Sequence, residues 1–252
     1  MSIILNGTTG ITSTGITETS DGNVGIGTSA PAQILEVKEL DQTGFTGIRV
    51  NNPTELIGSA GIEFQVDPTY SKAAIYQTRK DPNGVGDLIF AVDSATDAAN
   101  WAATDEKMRI DSAGRVTMPY QPSFYADVSS TTTFQGNVSN AVAIFNRATV
   151  NIGNHYSTAT GKFTAPVAGT YVFSIGAVCS SPISQFWFVV NGNRSESFLV
   201  AAAGAQNGIL SASGMMRLQS GDSLGVLPYT GTANVSLNPS GLHAFFRGHL
   251  LG

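Results

Sequence analysis

Residues 161–178 read Gly-Lys-Phe-Thr-Ala-Pro-Val-Ala-Gly-Thr-Tyr-Val-Phe-Ser-Ile-Gly-Ala-Val. After the turn Pro166–Gly169, Tyr171, Phe173, Ile175 and Ala177 alternate with Val172, Ser174, Gly176 and Val178. A period of two over this length specifies a β-strand. The aromatic face buries the larger area per residue, so it is the expected core face. Proline fixes one turn dihedral and glycine is free to take a positive one, so the turn returns the chain into the strand. This hairpin is the expected spine of an all-β domain.

Further strands are expected at about Phe124–Val128, Ala141–Phe145, Thr160–Phe163, Phe186–Val190, Ser195–Ala201, Ile209–Leu218, Ser223–Leu227 and Gly241–Leu251. Asn191-Gly192, between two apolar runs, is the clearest hairpin turn in the chain. Strands at this spacing, separated by turn residues, indicate a sandwich or jelly roll. Pro119 and Pro122 mark a linker before it.

Asn154-His155-Tyr156, Gly161-Lys162-Phe163, Pro166, Gly169, Tyr171 and Phe173 resemble the central motif of the C1q/TNF-like jelly roll. Leu218-Gln219-Ser220-Gly221-Asp222 resembles that family's L-x-x-G-D turn, and Gly241, Phe245, Phe246, Gly248 and Leu250 its closing strand. The resemblance runs from about Pro122 to Gly252 and implies a jelly-roll head over residues 119–252, with its first and last strands adjacent.

Charged residues make up 12 % of the 252, while glycine supplies 28 positions. This is a composition of short strands and turns. The apolar share of 42 % argues against disorder. Net charge is −5 without any Lys/Arg cluster, which excludes an electrostatic nucleic-acid footprint. No apolar run approaches membrane-spanning length, so no membrane insertion is expected, and no secretory signal is visible. The single cysteine, Cys179, excludes an internal disulfide and reads as a small buried apolar residue.

Residues 2–19 combine the patch Ile3-Ile4-Leu5 with a short repeat, Gly10-Ile11-Thr12 and Gly15-Ile16-Thr17. The segment is too rich in Gly and Thr for a helix and too short to bury a core. It reads as an attachment peptide over residues 1–20, held through Ile3, Ile4 and Leu5. The next stretch, from Asp21, lacks both G-x-G-x-x-G and Gly-Lys-Ser/Thr, which rules out a phosphate loop. Residues 21–118 otherwise read as a β-rich domain. Its strands fall near Ala60–Val66, Ala73–Thr78 and Asp87–Val92, with the strong turn Asp81-Pro82-Asn83-Gly84 between the last two. About five strands are expected, enough for a small sandwich, with Trp101 packed on the sheet.

Asp21-Gly22-Asn23-Val24-Gly25-Ile26-Gly27-Thr28 resembles the D-x-x-G-N-V-G-I-G-T elements of bacteriophage tail fibres. Met108-Arg109-Ile110-Asp111-Ser112-Ala113-Gly114-Arg115-Val116 resembles the same family's M-R-I-D-S-x-G-x-V. The resemblance implies a trimeric virion protein of the tail, with a β-rich shaft. It would join other tail proteins through its N-terminus and bind a host surface glycan through its head. Alternative readings are a bacterial C1q-domain lectin or surface protein, and a fibre-borne glycan hydrolase.

No catalytic, cofactor or metal residue is expected. His155, His243 and His249 lack ligand spacing, there is no nucleophile elbow, and Cys179 has no neighbouring base. Two carboxylates that meet only in space keep a hydrolase formally open. Polar loops suit sugar hydroxyls, and Asn191, Asn193, Arg194, Glu196, Tyr229 and Asn234 are the candidate receptor-binding residues.

Overall fold

The computed structural model describes residues 16–20, 22, 24–26, 35–37, 59–65, 68–130, 132–134, 142–178, 185–201, 209–229, 235–237 and 244–252. Ile3–Leu5, Cys179, Asn234 and His243 lie outside them. The described structure is β throughout, apart from one 3-10 turn at Ala103–Asp105. The chain divides into two compact units, one of residues 1–105 and 109–115, the other of residues 106–108 and 116–252.

In the first unit, β1 (Ile16–Glu18), β2 (Val24–Ile26) and β3 (Leu35–Val37) form a small sheet. The strands β4 (Ser59–Phe64), β5 (Ala73–Arg79) and β6 (Gly86–Val92) form a second sheet, continued in chain order by β7 (Glu106–Ile110) and β8 (Val116–Thr117), of which residues 106–108 and 116–117 are counted with the other unit. One face of this sheet buries Ala74, Tyr76, Ile89 and Ala91, with Trp101 against Tyr76 at 4.8 Å between ring centroids. Asp87 is fully buried on the same face. Its carboxylate takes Lys80 Nζ at 2.6 Å, the Arg109 guanidinium, and the Ser112 N–H at 3.1 Å. Lys80 first, then Arg109 and Ser112, hold its carboxyl below the usual carboxylate range.

The turns Asp81–Gly84 and Asp111–Gly114 are the same structure. In each, the aspartate Oδ1 accepts from the N–H groups two and four residues on, and the aspartate carbonyl accepts from a glycine at φ +84° or +82°. A short carboxylate that captures nearby backbone donors needs a left-handed glycine to complete the turn.

The jelly roll comprises β9 (Ser123–Asp127), β10 (Thr132–Phe134), β11 (Arg147–Ile152), β12 (Tyr156–Ser157), β13 (Lys162–Thr164), β14 (Gly169–Val178), β15 (Gln185–Val190), β16 (Asn193–Ala201), β17 (Ile209–Leu218), β18 (Ser223–Tyr229), β19 (Val235–Leu237) and β20 (Phe245–Leu250). One five-stranded sheet runs β11-β9-β20-β14-β17 and the other β12-β13-β18-β15-β16, while β10 pairs with β19. The first and last strands are neighbours, with Phe246 opposite Ala126.

Between the sheets lies an aromatic core. Tyr171, Phe173, Ile175 and Ala177 of β14 are all buried, as their alternation requires. Phe124 stacks on Tyr156 at 4.8 Å and on Phe163 at 5.2 Å, and meets Phe246 edge-on at 4.9 Å. Gly248 permits this packing, because a Cβ there would fall 2.4 Å from the Phe173 ring. Where a strand is expected over Ala141–Phe145, residues 142–146 are irregular, although Ala143 and Phe145 are fully buried. The Ala143 N–H donates to the Val226 carbonyl at 2.6 Å, and the neighbouring strand begins only at Arg147.

Candidate functional site

The candidate interaction surface is the outer face of the sheet β11-β9-β20-β14-β17. Strand alternation sends the aromatic side chains of β14 inward and Val172 and Ser174 outward. Register then builds rows across the face. Val150, Tyr125, Arg247, Ser174 and Ser213 form one, and Ile152, Ser123, His249, Val172 and Met215 the next. Tyr125 stacks on Phe245 at 5.8 Å, and Arg247 lies over the Phe245 ring at 5.2 Å. The Ser174 and Ser213 hydroxyls share a hydrogen bond of 2.8 Å. Arg147 grips the buried Asp127 with two bonds, Nε to Oδ1 at 2.6 Å and Nη2 to Oδ2 at 2.7 Å. Val150 and Met215 are exposed. The face therefore mixes apolar and aromatic side chains with polar ones, and Arg247 and His249 lie on its central strand β20, so it can bury area and still set orientation.

The ends of the sandwich differ. At one end the Leu250 N–H donates to the Pro122 carbonyl at 3.0 Å and the Thr170 N–H to the Gly252 carbonyl at 2.8 Å, so both termini of the jelly roll lie there. The turns Asn191-Gly192 and Leu218–Asp222 are at this same end. Asn191 takes a left-handed φ of 51°. Its amide donates to Asp222 Oδ1 at 2.8 Å and accepts from the Ser223 N–H at 2.8 Å. Asp222 also receives the Gln219 N–H at 2.7 Å. The Asn191 amide first, and the Gln219 N–H second, lower its pKa. Sequence reading found each turn but missed the clasp between them, because 31 residues separate its two side chains.

The candidate receptor residues are not gathered into one site. Asn191 is in the clasped turn, Asn193 opens β16 beside it, and Arg194 and Glu196 follow along β16. Tyr229, opposite Gln185, closes β18 at the other end of the sandwich. Among the described residues no group of three or more His, Cys, Asp or Glu is placed to hold a metal ion. His155 packs edge-on against Phe163 at 6.5 Å.

Two five-stranded antiparallel sheets over one aromatic core, with adjacent first and last strands, define a jelly-roll head. The C1q domain family matches residues 123–251, and the chain belongs to that family. Human complement C1q tumor necrosis factor-related protein 5 is 37 % identical over 89 residues, which cover 35 % of this chain and 37 % of that protein. Its Rattus norvegicus counterpart is 36 % identical over 83 residues, or 32 % of this chain and 34 % of that one. The chain thus spans about a third of the length of the curated relatives it matches. Among solved structures, the globular domain of zebrafish complement 1qA covers 52 % of this chain and 98 % of its own, at 20 % identity and a TM-score of 0.41. Murine APRIL covers 52 % and 99 %, at 14 % identity and a TM-score of 0.37.

These relatives overturn the expectation of a bacteriophage tail-fibre protein in the virion tail that binds a host polysaccharide, since they are named as C1q tumor necrosis factor-related proteins. The physical reason lies in the motif that carried the expectation. Asp111–Gly114 shares its hydrogen bonds with Asp81–Gly84, which showed no such resemblance. What recurs is local turn chemistry, which any β-rich chain can use.

Proposed function

We propose that the chain is a non-enzymatic recognition protein that works as a homotrimer through its C1q head. The observation that supports it is the outer face of the sheet β11-β9-β20-β14-β17, where Tyr125, Phe245, Val172, Met215 and Val150 share a surface their own chain leaves partly exposed. Closed symmetry around a three-fold axis gives such faces an identical partner. In this reading residues 119–252 form the head, residues 21–118 a β-rich stalk, and residues 1–20, with Ile3, Ile4 and Leu5, an attachment segment. Recognition falls to the end of the sandwich away from the termini, to which Tyr229 belongs. Arg194, Glu196 and Asn234 are further candidates. Asn191 holds the clasp at the opposite end, beside Asn193.

The test is native mass measurement of residues 119–252. Three copies are expected, and Met215→Glu should shift the population toward single chains that remain folded. A single-copy mass for the unsubstituted head at micromolar concentration would refute the reading.

A further inference from the structure

The sheet of the first unit has a bare face. Register places Ile62, Ile75 and Phe90 in one row, Phe64, Ala73 and Val92 in the next, and Ala60, Gln77 and Leu88 in the third. Eight of these nine positions are apolar and none is charged. The charges of β4 and β6, Glu63 and Asp87, fall on the opposite face by alternation. Ile62 is 52 % exposed, Phe64 48 %, Val92 48 % and Leu88 39 %. At the end of the face Arg79 folds back onto the carbonyls of Asp81 and Pro82.

We propose that this face packs against the same face of sister copies of the chain, which makes it a second self-association surface. The proposal rests on the trimer reading of the head. Size argues for sister copies over a free partner. Three strands with three alternating positions each give a footprint of roughly 300 Å², well short of the ~800 Å² per partner in a stable free complex. The face is too small to capture a molecule from solution. It suffices when its partner is already held nearby. Residues 118–122, five in number, separate β8, the last strand of this sheet, from the first strand of the jelly roll. They reach at most about 18 Å. Once the heads associate, the sister faces are therefore present at an effective concentration in the millimolar range. The absence of charge from the rows also favours an identical partner, because like charges across a symmetry axis would repel.

The experiment uses the full chain with one added cysteine at a time, Ile62→Cys, Phe90→Cys or Val92→Cys. Asn83→Cys, in the exposed Asp81–Gly84 turn, is the open control, and the unsubstituted chain with Cys179 sets the background. Each is examined by native mass, by the rate of alkylation with iodoacetamide, and with a short bis-maleimide. The expected result is a three-copy mass, alkylation of the face positions about tenfold slower than the control, and chain-to-chain cross-links at one or more of them. A three-copy mass with face positions alkylated as fast as Asn83→Cys would overturn this proposal and leave the trimeric head standing. Protection without chain-to-chain cross-links would also overturn it, because the cover would then be another segment of the same chain. A single-copy mass would remove the trimer reading itself.

Discussion

β5 and β14 are both central, alternating strands, yet they stabilise their surroundings to very different degrees. β14 presents Tyr171, Phe173, Ile175 and Ala177 to a second sheet, and among the described residues 21 buried ones form one continuous core there. β5 presents Ala74 and Tyr76 to a face with four buried core residues among those described, closed in part by Trp101, while its other side, Ala73 and Ile75, belongs to the bare face. Alternation alone thus gives a strand a face, and only a second layer turns that face into a core. The jelly roll should behave as a domain that folds by itself. The first unit should depend on charge pairing and on neighbours.

The largest expected effect lies in the head. Phe173 meets Phe163 at 5.6 Å and Phe188 and Phe246 at 6.0 Å, and it is fully buried. Phe173→Ala should cost about 3–5 kcal/mol of head stability through a cavity that the surrounding rings cannot close. In urea unfolding of the full chain, the head transition should fall steeply while the first-unit transition stays in place. Equal movement of both would show that the two regions unfold as one and would break the comparison.

Acid should act the other way and single out the first unit. Asp87 is ionised and paired in the folded state, so its folded pKa lies below its unfolded value of about 3.9. Its stabilising contribution is fully present above that value and is lost as pH falls through the folded pKa. The first unit should therefore melt earlier as pH drops below about 4, whereas Asp87→Asn should start from lower stability at pH 7 and lose little more in acid. A first-unit melting curve that ignores pH in this window would remove the Lys80–Asp87–Arg109 cluster from the account.

A smaller effect sharpens the claim that the head core is tightly filled. In Gly248→Ala the added methyl meets the Phe173 ring, and Phe124 lies 3.0 Å away. Overpacking of this kind costs about 1–3 kcal/mol. Thermal unfolding of residues 119–252 should show the loss, and an unchanged midpoint would mean that the rings can shift freely.

The same contrast explains what could be read from the sequence. β14, β15 and the turn Asn191-Gly192 were legible because unbroken alternation, a short apolar run and a left-handed turn pair are local signals. Ala143 and Phe145 alternate and are buried, but the described residues of the expected strand Ala141–Phe145 are not a strand. Alternation reports which residues face inward, and it does not report whether the backbone finds a continuous neighbour. β11 was hidden for the opposite reason, because the register slips between Ala148 and Val150, and a bulge breaks the period of two. The outer-face rows of the head and the bare face of the first unit were both out of reach. Each is set by register between strands distant in sequence.

The smallest expected effect concerns Asn191, where turn conformation and side-chain bonding can be separated. Its amide spans Asp222 and the Ser223 N–H, while its backbone sits at φ 51°. Asn191→Gly keeps the left-handed backbone without strain and loses only the amide bonds, at about 1 kcal/mol. Asn191→Ala loses the bonds and adds a strained conformation, for about 2 kcal/mol in total. The difference between the two variants in urea unfolding of the head measures the backbone term. Repeating Asn191→Gly in an Asp222→Ala background measures the clasp, and the loss should shrink because one partner is already gone. If Asn191→Gly cost nothing in either background, the clasp would contribute no stability, and Asn191 would be available for another role. If it cost the same in both, Asn191 would act through Ser223 alone, and the two turns would be independent features of the same end.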